Sequence, residues 1–239
     1  MLNKNYEYYL EWKRWGDEFG YVSSHQSKYY DLELRDVIEI LGKNNLRVLE
    51  IGYGNGSFLG YCFKKKWEVY GIEINEKLVD LAKGNGFNAY SSLGSVPDNY
   101  FDLIVAFDVI EHVSNDEIVP LLNNIKRKIN KDGLCLFRFP NGDSPMGMKN
   151  QNGDLTHNNF IGSEKILQLC KISKLNLVKI RGEKKIIKVI SFKETLYNII
   201  SYIIRSVLDV FIKFVYFRGT IYFFSPQNLI VIIDKNTNF

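Results

Sequence analysis

Apolar and polar positions along this chain fall in blocks. Short, nearly continuous apolar runs lie at Leu46 to Ile51 (LRVLEI), Trp67 to Glu73 (WEVYGIE), Phe87 to Tyr90, Phe101 to Phe107 (FDLIVAF), Leu134 to Phe139 and Asn228 to Asp234 (NLIVIID). Runs of this length bounded by Gly, Asn and Asp predict strands covered on both faces. Helical spacing fills the gaps: SFLGYCFKKK from Ser57, a segment starting near Asn75 and ending at Gly84 to Gly86, and one over roughly Asn115 to Asn130 closed by an Asp132-Gly133 turn. Asn75 is a good N-cap residue. Strands alternating with helices predict an α/β chain with a doubly wound, mostly parallel sheet and right-handed crossovers. Such sheets bind ligands beyond the carboxyl ends of their strands. Glu50, Glu73 and Asp108 all fall at or just after such ends.

Three segments lie outside this alternation. Residues 1–36 are rich in aromatics (YEYYLEW, Trp15, Tyr29-Tyr30) and predict a helical cap, either over the crevice or packed plainly on the sheet. Residues 140–162 form a long polar loop, a length that in compact domains often carries function. Residues 195–217 (TLYNIISYIIRSVLDVFIKFVYF) are the most apolar stretch, yet hold Arg205, Asp209 and Lys213 near the middle. A central charge costs about 2.5–3.5 kcal/mol on insertion and an apolar residue returns about 0.3–0.6, which argues against spanning a bilayer. Asn198 and Ser201 continue the charged stripe, so the segment reads as an amphipathic helix with a narrow polar face. Packing on the protein's own core or forming a homodimer is expected of it. Peripheral contact with a membrane is the third outlet, which the basic run before it would suit. The resulting organisation is a cap (1–36), a core (37–182), a helical insertion (183–226) and a final strand with tail (227–239).

Composition narrows the class. The 239 residues are 46% apolar and 24% charged, which excludes a disordered, collagen-like or polytopic membrane chain. A net charge of +4 is too small to argue for nucleic acid as partner. Cys62, Cys135 and Cys170 stand singly in apolar stretches, with only three histidines beside them. They read as small buried hydrophobes in a reducing cytosol rather than as a zinc cluster or disulfide framework. The N-terminus has no apolar h-region, so no signal peptide is expected and the location is read as cytoplasmic.

The loop after the first strand reads Glu50-Ile-Gly52-Tyr-Gly54-Asn-Gly56. A glycine loop here can serve NAD, FAD or S-adenosylmethionine (SAM). The Gly-x-Gly-x-Gly spacing departs from the dinucleotide pattern. Glu50 would also repel a pyrophosphate, whereas it would attract the ammonium and sulfonium of SAM. Glu73, ending the second strand, can accept both hydroxyls of a ribose, and Ile74 can lie against adenine.

VLEIGYGNG, VYGIEI and FDLIVAFDVIEHV together resemble class I SAM-dependent methyltransferases over roughly residues 45–140. The resemblance implies a Rossmann-like sheet with an antiparallel last strand, residues 195–217 then being an insertion before it. It also implies SAM as cofactor. Glu50, Gly52, Gly54 and Gly56 would line the methionine part, Glu73 and Ile74 the nucleoside, and Asp108 the methionine amino group. An Asp often follows the third strand in that family. Here the place reads Tyr90-Ser91-Ser92-Leu93, and Ser92 is the candidate adenine contact.

Methyl transfer to a hydroxyl needs a base, and the histidines are His25, His112 and His157. His157 lies in the 140–162 loop with Asp154 three residues earlier to orient it; His112 follows Glu111 and is the second candidate. Asp108, Glu111 and His112 resemble positions that hold a divalent metal in some quinone-pathway relatives, but no metal is assigned. The string NGDSPMGMKNQNGDLTHNNF and YLEWKRWGDEFGY resemble methyltransferases of bacterial surface-polysaccharide gene clusters. That implies O-methylation of a sugar or nucleotide-sugar hydroxyl. The alternatives are a quinone-like phenol, which would need an apolar acceptor pocket, and a non-catalytic SAM-binding regulatory module, which would need no histidine near the methyl group. An NAD-dependent sugar enzyme is opposed by Glu50 and by the loop spacing.

Overall fold

A computed structural model describes Lys13 and residues 18–186 and 191–236. The YEYYLEW and Trp15 part of the expected cap lies outside the described residues. The seven strands are β1 (Arg47–Ile51), β2 (Glu68–Ile72), β3 (Asn88–Tyr90), β4 (Phe101–Phe107), β5 (Ile129–Pro140), β6 (Asn176–Gly182) and β7 (Asn228–Asp234). They form one sheet in the order β3-β2-β1-β4-β5-β7-β6. Pairs from β3 to β5 are parallel, and β7 runs antiparallel between β5 and β6. This is the doubly wound sheet with an antiparallel last strand that was expected. The order reverses between β1 and β4, so the crevice opens there.

Helices cover both faces. On one lie α1 (Ser24–Glu33), α2 (Arg35–Leu41), α3 (Ser57–Lys64) and α4 (Glu76–Gly84); on the other, α5 (Asn115–Lys128) and α7 (Ser163–Ile172). The strand period of two divides the core between them. Val48, Leu103 and Val105 pack on the first face, whereas Leu49, Ile104 and Ala106 pack on the second. The three cysteines are free and buried. Asn75 caps α4, its side chain accepting the Lys77 amide at 3.0 Å.

Two expectations change. The Asp132-Gly133 turn lies inside β5, which starts at Ile129. Pairing jumps from Phe101↔Ile129 to Leu103↔Leu134, so five steps on β5 oppose two on β4. The excess folds into an Asx turn, Asn130 Oδ1 accepting the Asp132 amide at 3.0 Å, without ending the strand. The 140–162 loop, for its part, contains a short helix, α6 (Met148–Asn152).

The long helix α8 (Phe192–Tyr216) lies between β6 and β7 and has no buried residue. Its apolar face therefore does not pack on the protein's own core, contrary to one expectation. Among the described residues no helix is long and apolar enough to cross a membrane.

Candidate active site

The carboxyl ends of β1, β2 and β4 bring the predicted acidic residues to one edge. Glu50 sits in β1 opposite Gly71 of β2 and Val105 of β4. It is buried, and its Oε2 has no hydrogen-bond partner. Burial, then the nearby Glu73 carboxylate, push its pKa well above the usual range. Gly52, Gly54 and Gly56 all take positive φ. A Cβ on Gly52 would come 2.6 Å from Val109 Cγ2, and one on Gly56 would come 2.6 Å from the Phe19 ring. The loop is thus a tight backbone cradle that only glycine forms here.

Glu73 is buried at the end of β2. Its Oε1 accepts the Asn75 amide at 3.1 Å and its Oε2 the Gly54 amide at 3.3 Å. Burial raises its pKa, and these amides partly offset that. Ile74 is about half exposed beside it, and Ser92 is exposed just beyond β3. The donor set fits SAM. A buried, unpartnered carboxyl suits an ammonium, a second carboxylate suits ribose hydroxyls, and the glycine loop admits close approach.

Asp108 follows β4 with φ 55°, a left-handed conformation that Asp tolerates. It was expected at the methionine amino group. Instead both its oxygens are taken by the Arg138 fork, with Nε to Oδ1 at 2.9 Å. Arg138 stands directly across the β4–β5 pair from Phe107, and its Nη1 donates to the Tyr29 hydroxyl at 2.7 Å. Tyr29 was named from sequence only as part of the aromatic cap, and Arg138 not at all.

The described part of the N-terminal region covers this edge. Gly20 donates its amide to Asn55 O at 3.0 Å, and the Phe19 ring packs edge-on to Tyr53 in the glycine loop. The Tyr30 hydroxyl meets Ser57 Oγ at 2.9 Å at the start of α3. A Cβ on Gly60 would come 1.8 Å from Gly20 O, so α3 and this segment touch backbone to backbone.

Beyond β4, a single 3-10 turn (Ile110–His112) meets the 140–162 loop. Glu111 O accepts the Asn158 and Asn159 amides at 2.8 and 2.9 Å. His112 and His157 then stack edge to face, their ring centroids 4.6 Å apart. His157 Nδ1 bonds the Gln151 carbonyl at 2.9 Å, and His112 Nδ1 bonds Thr156 O at 3.2 Å and Oγ1 at 2.9 Å. A carbonyl only accepts, so Nδ1 carries a proton in each ring, and the neutral form of each has its lone pair on Nε2. Burial, and then His157, lower the pKa of His112.

Asp154 was expected to orient His157; the structure gives that role to Gln151 O. Asp154 accepts from the Thr156 amide at 3.0 Å and from its hydroxyl at 2.6 Å, and it pairs with Lys13 at 3.3 Å. It therefore supports His112 through Thr156. Against the pull of burial, Thr156 and then Lys13 hold its carboxyl well below the usual range.

Glu111 is buried with both carboxylate oxygens unpartnered, and its Oε1 lies 4.0 Å from His157 Nε2. Burial, then Asp108, raise its pKa well above the ordinary carboxyl range. Glu111, His112 and His157 each bring a ligand-type atom within 4.8 Å of the others. A divalent cation accepts such a donor set. His157 stands where the sequence had placed Asp108, which Arg138 occupies.

Several polar side chains of the 140–162 loop turn inward. Asn141 donates to Phe223 O at 2.8 Å and Pro226 O at 3.1 Å, Gln151 to Asn159 O at 3.1 Å and Asn159 to Val113 O at 2.7 Å. Leu155, Phe160 and Met146 are exposed. Part of the loop's polarity thus anchors it to Val113 and to residues 223–226.

A family model described as a methyltransferase domain matches residues 25–180. Among curated proteins, none matches the chain. A SAM-dependent methyltransferase structure from Archaeoglobus fulgidus aligns with TM-score 0.63 and 24% identity, covering 95% of this chain and 98% of that one. A TehB-like SAM-dependent methyltransferase from Corynebacterium glutamicum aligns with TM-score 0.56 and 17% identity, covering 98% of both chains. The geranyl diphosphate C-methyltransferase of Streptomyces coelicolor, solved with Mg2+, geranyl diphosphate and S-adenosyl-L-homocysteine, gives TM-score 0.55 at 11% identity over 87% of this chain and 80% of that one. At such identities these likenesses concern the fold.

Proposed function

Given that the chain belongs to the SAM-dependent methyltransferases, we propose that it methylates a hydroxyl of a sugar or nucleotide sugar in surface-polysaccharide biosynthesis, with His157 as the base. Glu50 and the glycine loop hold the methionine part of SAM, Glu73 and Ile74 the nucleoside, and Ser92 the adenine edge. Bound there, SAM supplies an electrophilic methyl group. The chain's own task is to place the acceptor, keep water out and remove one proton. Residues 18–20 and α1, lying over the glycine loop, serve the second of these.

The observation that carries the reading is the tautomer of His157. Its Nδ1 proton is held by Gln151 O, so the neutral ring presents its lone pair at Nε2 for the acceptor proton. His112 is held the same way and stands 4.6 Å away, centroid to centroid. A regulatory module would have no need of two imidazoles set in the basic tautomer beside a cofactor cleft.

A second acceptor class is favoured by one observation. Met146, Leu155 and Phe160 expose apolar surface on the acceptor loop, which suits a phenol ring better than a sugar. Incubating the protein with SAM against panels of nucleotide sugars and catechol-type phenols, with S-adenosylhomocysteine release and product mass as readouts, decides between them. Turnover on the sugars alone supports the proposal, whereas turnover on the phenols alone replaces it.

A further inference from the structure

The long helix α8 is amphipathic in the reverse sense to a helix that packs on its own protein. Its partly shielded positions are Thr195, Asn198, Ser201, Arg205, Asp209 and Ile212, spaced by three and four and so on one face. Five of these six are polar. Asp209 fixes the orientation, accepting from the Phe224 amide at 3.1 Å and from the Ser225 amide and hydroxyl, both at 2.6 Å. Grooves of about 360 and 570 Å³ run between this polar stripe and residues 223–227. The polar side therefore faces the body, and across the helix Ile203, Val207, Val210 and Phe214 point to solvent, each more than half exposed. Tyr202 and Phe211 widen this face. One contiguous apolar surface of this breadth is more than a free soluble face carries.

Charge indicates what covers it. Residues 183–218 hold seven basic and three acidic side chains, a net +4 that equals the charge of the whole chain. Lys193 and Lys213 on α8 and Arg218 just after it are exposed, whereas Asp209 is turned inward. A second copy of this chain would set these cations against their own kind. An anionic bilayer would take the apolar face among its acyl chains and the cations at its headgroups. No described helix is long and apolar enough to cross a membrane, so the fit is in the plane of the surface.

We propose that α8 docks the protein peripherally on an anionic membrane surface through its outward apolar face. The same segment is joined to the acceptor loop: Asp209 holds residues 224–225, and Ser144 and Asn141 of the loop hold Phe224 O and Phe223 O. Docking therefore sets the acceptor loop next to the bilayer. This surface is independent of the acceptor chemistry.

The full chain is sedimented with vesicles of phosphatidylcholine alone and of equimolar phosphatidylcholine and phosphatidylglycerol. Binding to the mixed vesicles, weak binding to the neutral ones and loss at high salt are expected. Lys193→Ala and Lys213→Ala each lower the partition about fivefold, and Val207→Asp with Phe214→Asp lowers it by at least tenfold. All four sites are exposed, so melting and SAM binding stay as in the wild type and show that the variants fold. Absence of binding to either vesicle overturns the proposal, as does equal binding to both. Light scattering that shows a dimer which Val207→Asp with Phe214→Asp makes monomeric, without vesicle binding, assigns the face to a second copy and overturns it as well.

Discussion

Arg138, near the carboxyl end of β5, and Asp108, just beyond β4, face each other, the guanidinium forking onto both carboxylate oxygens while its third nitrogen reaches Tyr29. One side chain thereby ties the left-handed turn after β4 to helix α1, which covers the crevice. Arg138→Met keeps the aliphatic stem and removes all three bonds. The expected loss of stability is about 1.5–3 kcal/mol, the range for hydrogen bonds to charged groups. Urea unfolding measures it, and a midpoint unchanged from the wild type contradicts the assignment.

With Glu50 beside the SAM ammonium, as proposed, cofactor binding is expected to release protons. Burial and Glu73 raise its pKa, and a neighbouring ammonium lowers it again. Protons are therefore expected to leave on binding, and SAM affinity to rise with pH up to the raised pKa of Glu50. For stability the sign is opposite. A raised folded pKa contributes stability that is full below the unfolded value and is lost as pH rises through the folded one. Calorimetry in buffers of different ionisation enthalpy reads the protons directly. Glu50→Gln, near isosteric, is expected to abolish the release and weaken SAM by tenfold or more.

The glycine loop discriminates between steric and merely flexible glycines. Gly52→Ala and Gly56→Ala meet Val109 and Phe19 at 2.6 Å and adopt positive φ, so each is expected to cost at least 1–3 kcal/mol and to weaken SAM. Gly84→Ala, in α4 with nothing within 4 Å of the added carbon, is expected to stabilise by about 0.5–1 kcal/mol. Thermal melts of the three variants separate the cases.

His157→Ala is expected to lower kcat by about 10²–10⁴ with SAM affinity unchanged, the range for a lost general base. His112→Ala shares the environment but sits behind Thr156 and Asp154, and is expected to cost less. If His112→Ala proves the more damaging of the two, the assignments exchange.

The sheet was legible because covered parallel strands announce themselves as apolar runs, and because strand ends set where Glu50, Glu73 and Asp108 emerge. What those groups touch was not legible. Arg138 meets Tyr29 across 109 positions and Arg181 meets Glu33 across 148, and neither separation leaves a periodic trace in one sequence. His157 came to light as a candidate, but its orienting partner was misassigned. Asp154 is near in sequence, yet the Thr156 amide and hydroxyl, two positions on, take its carboxylate. The helix α8 shows the limit most plainly. Spacing revealed a polar stripe on an apolar helix, but only Asp209 on Ser225 tells which side faces the protein. The acceptor loop's polarity also misled in part, since Asn141, Ser144, Gln151 and Asn159 are buried and bonded to backbone carbonyls within the loop and of Val113, Phe223, Phe224 and Pro226.

The proposed role of Glu73 as ribose holder is the hinge of the site. Calorimetry with SAM, S-adenosylhomocysteine and NAD, on the wild type and on Glu73→Ala, tests it most directly. Both sulfur nucleosides are expected to bind, NAD to bind weakly or not at all, and Glu73→Ala to weaken the nucleosides at least tenfold, about 1.4 kcal/mol. A preference for NAD, or an affinity for SAM that Glu73→Ala leaves unchanged, would contradict the placement of the cofactor at this edge of the sheet.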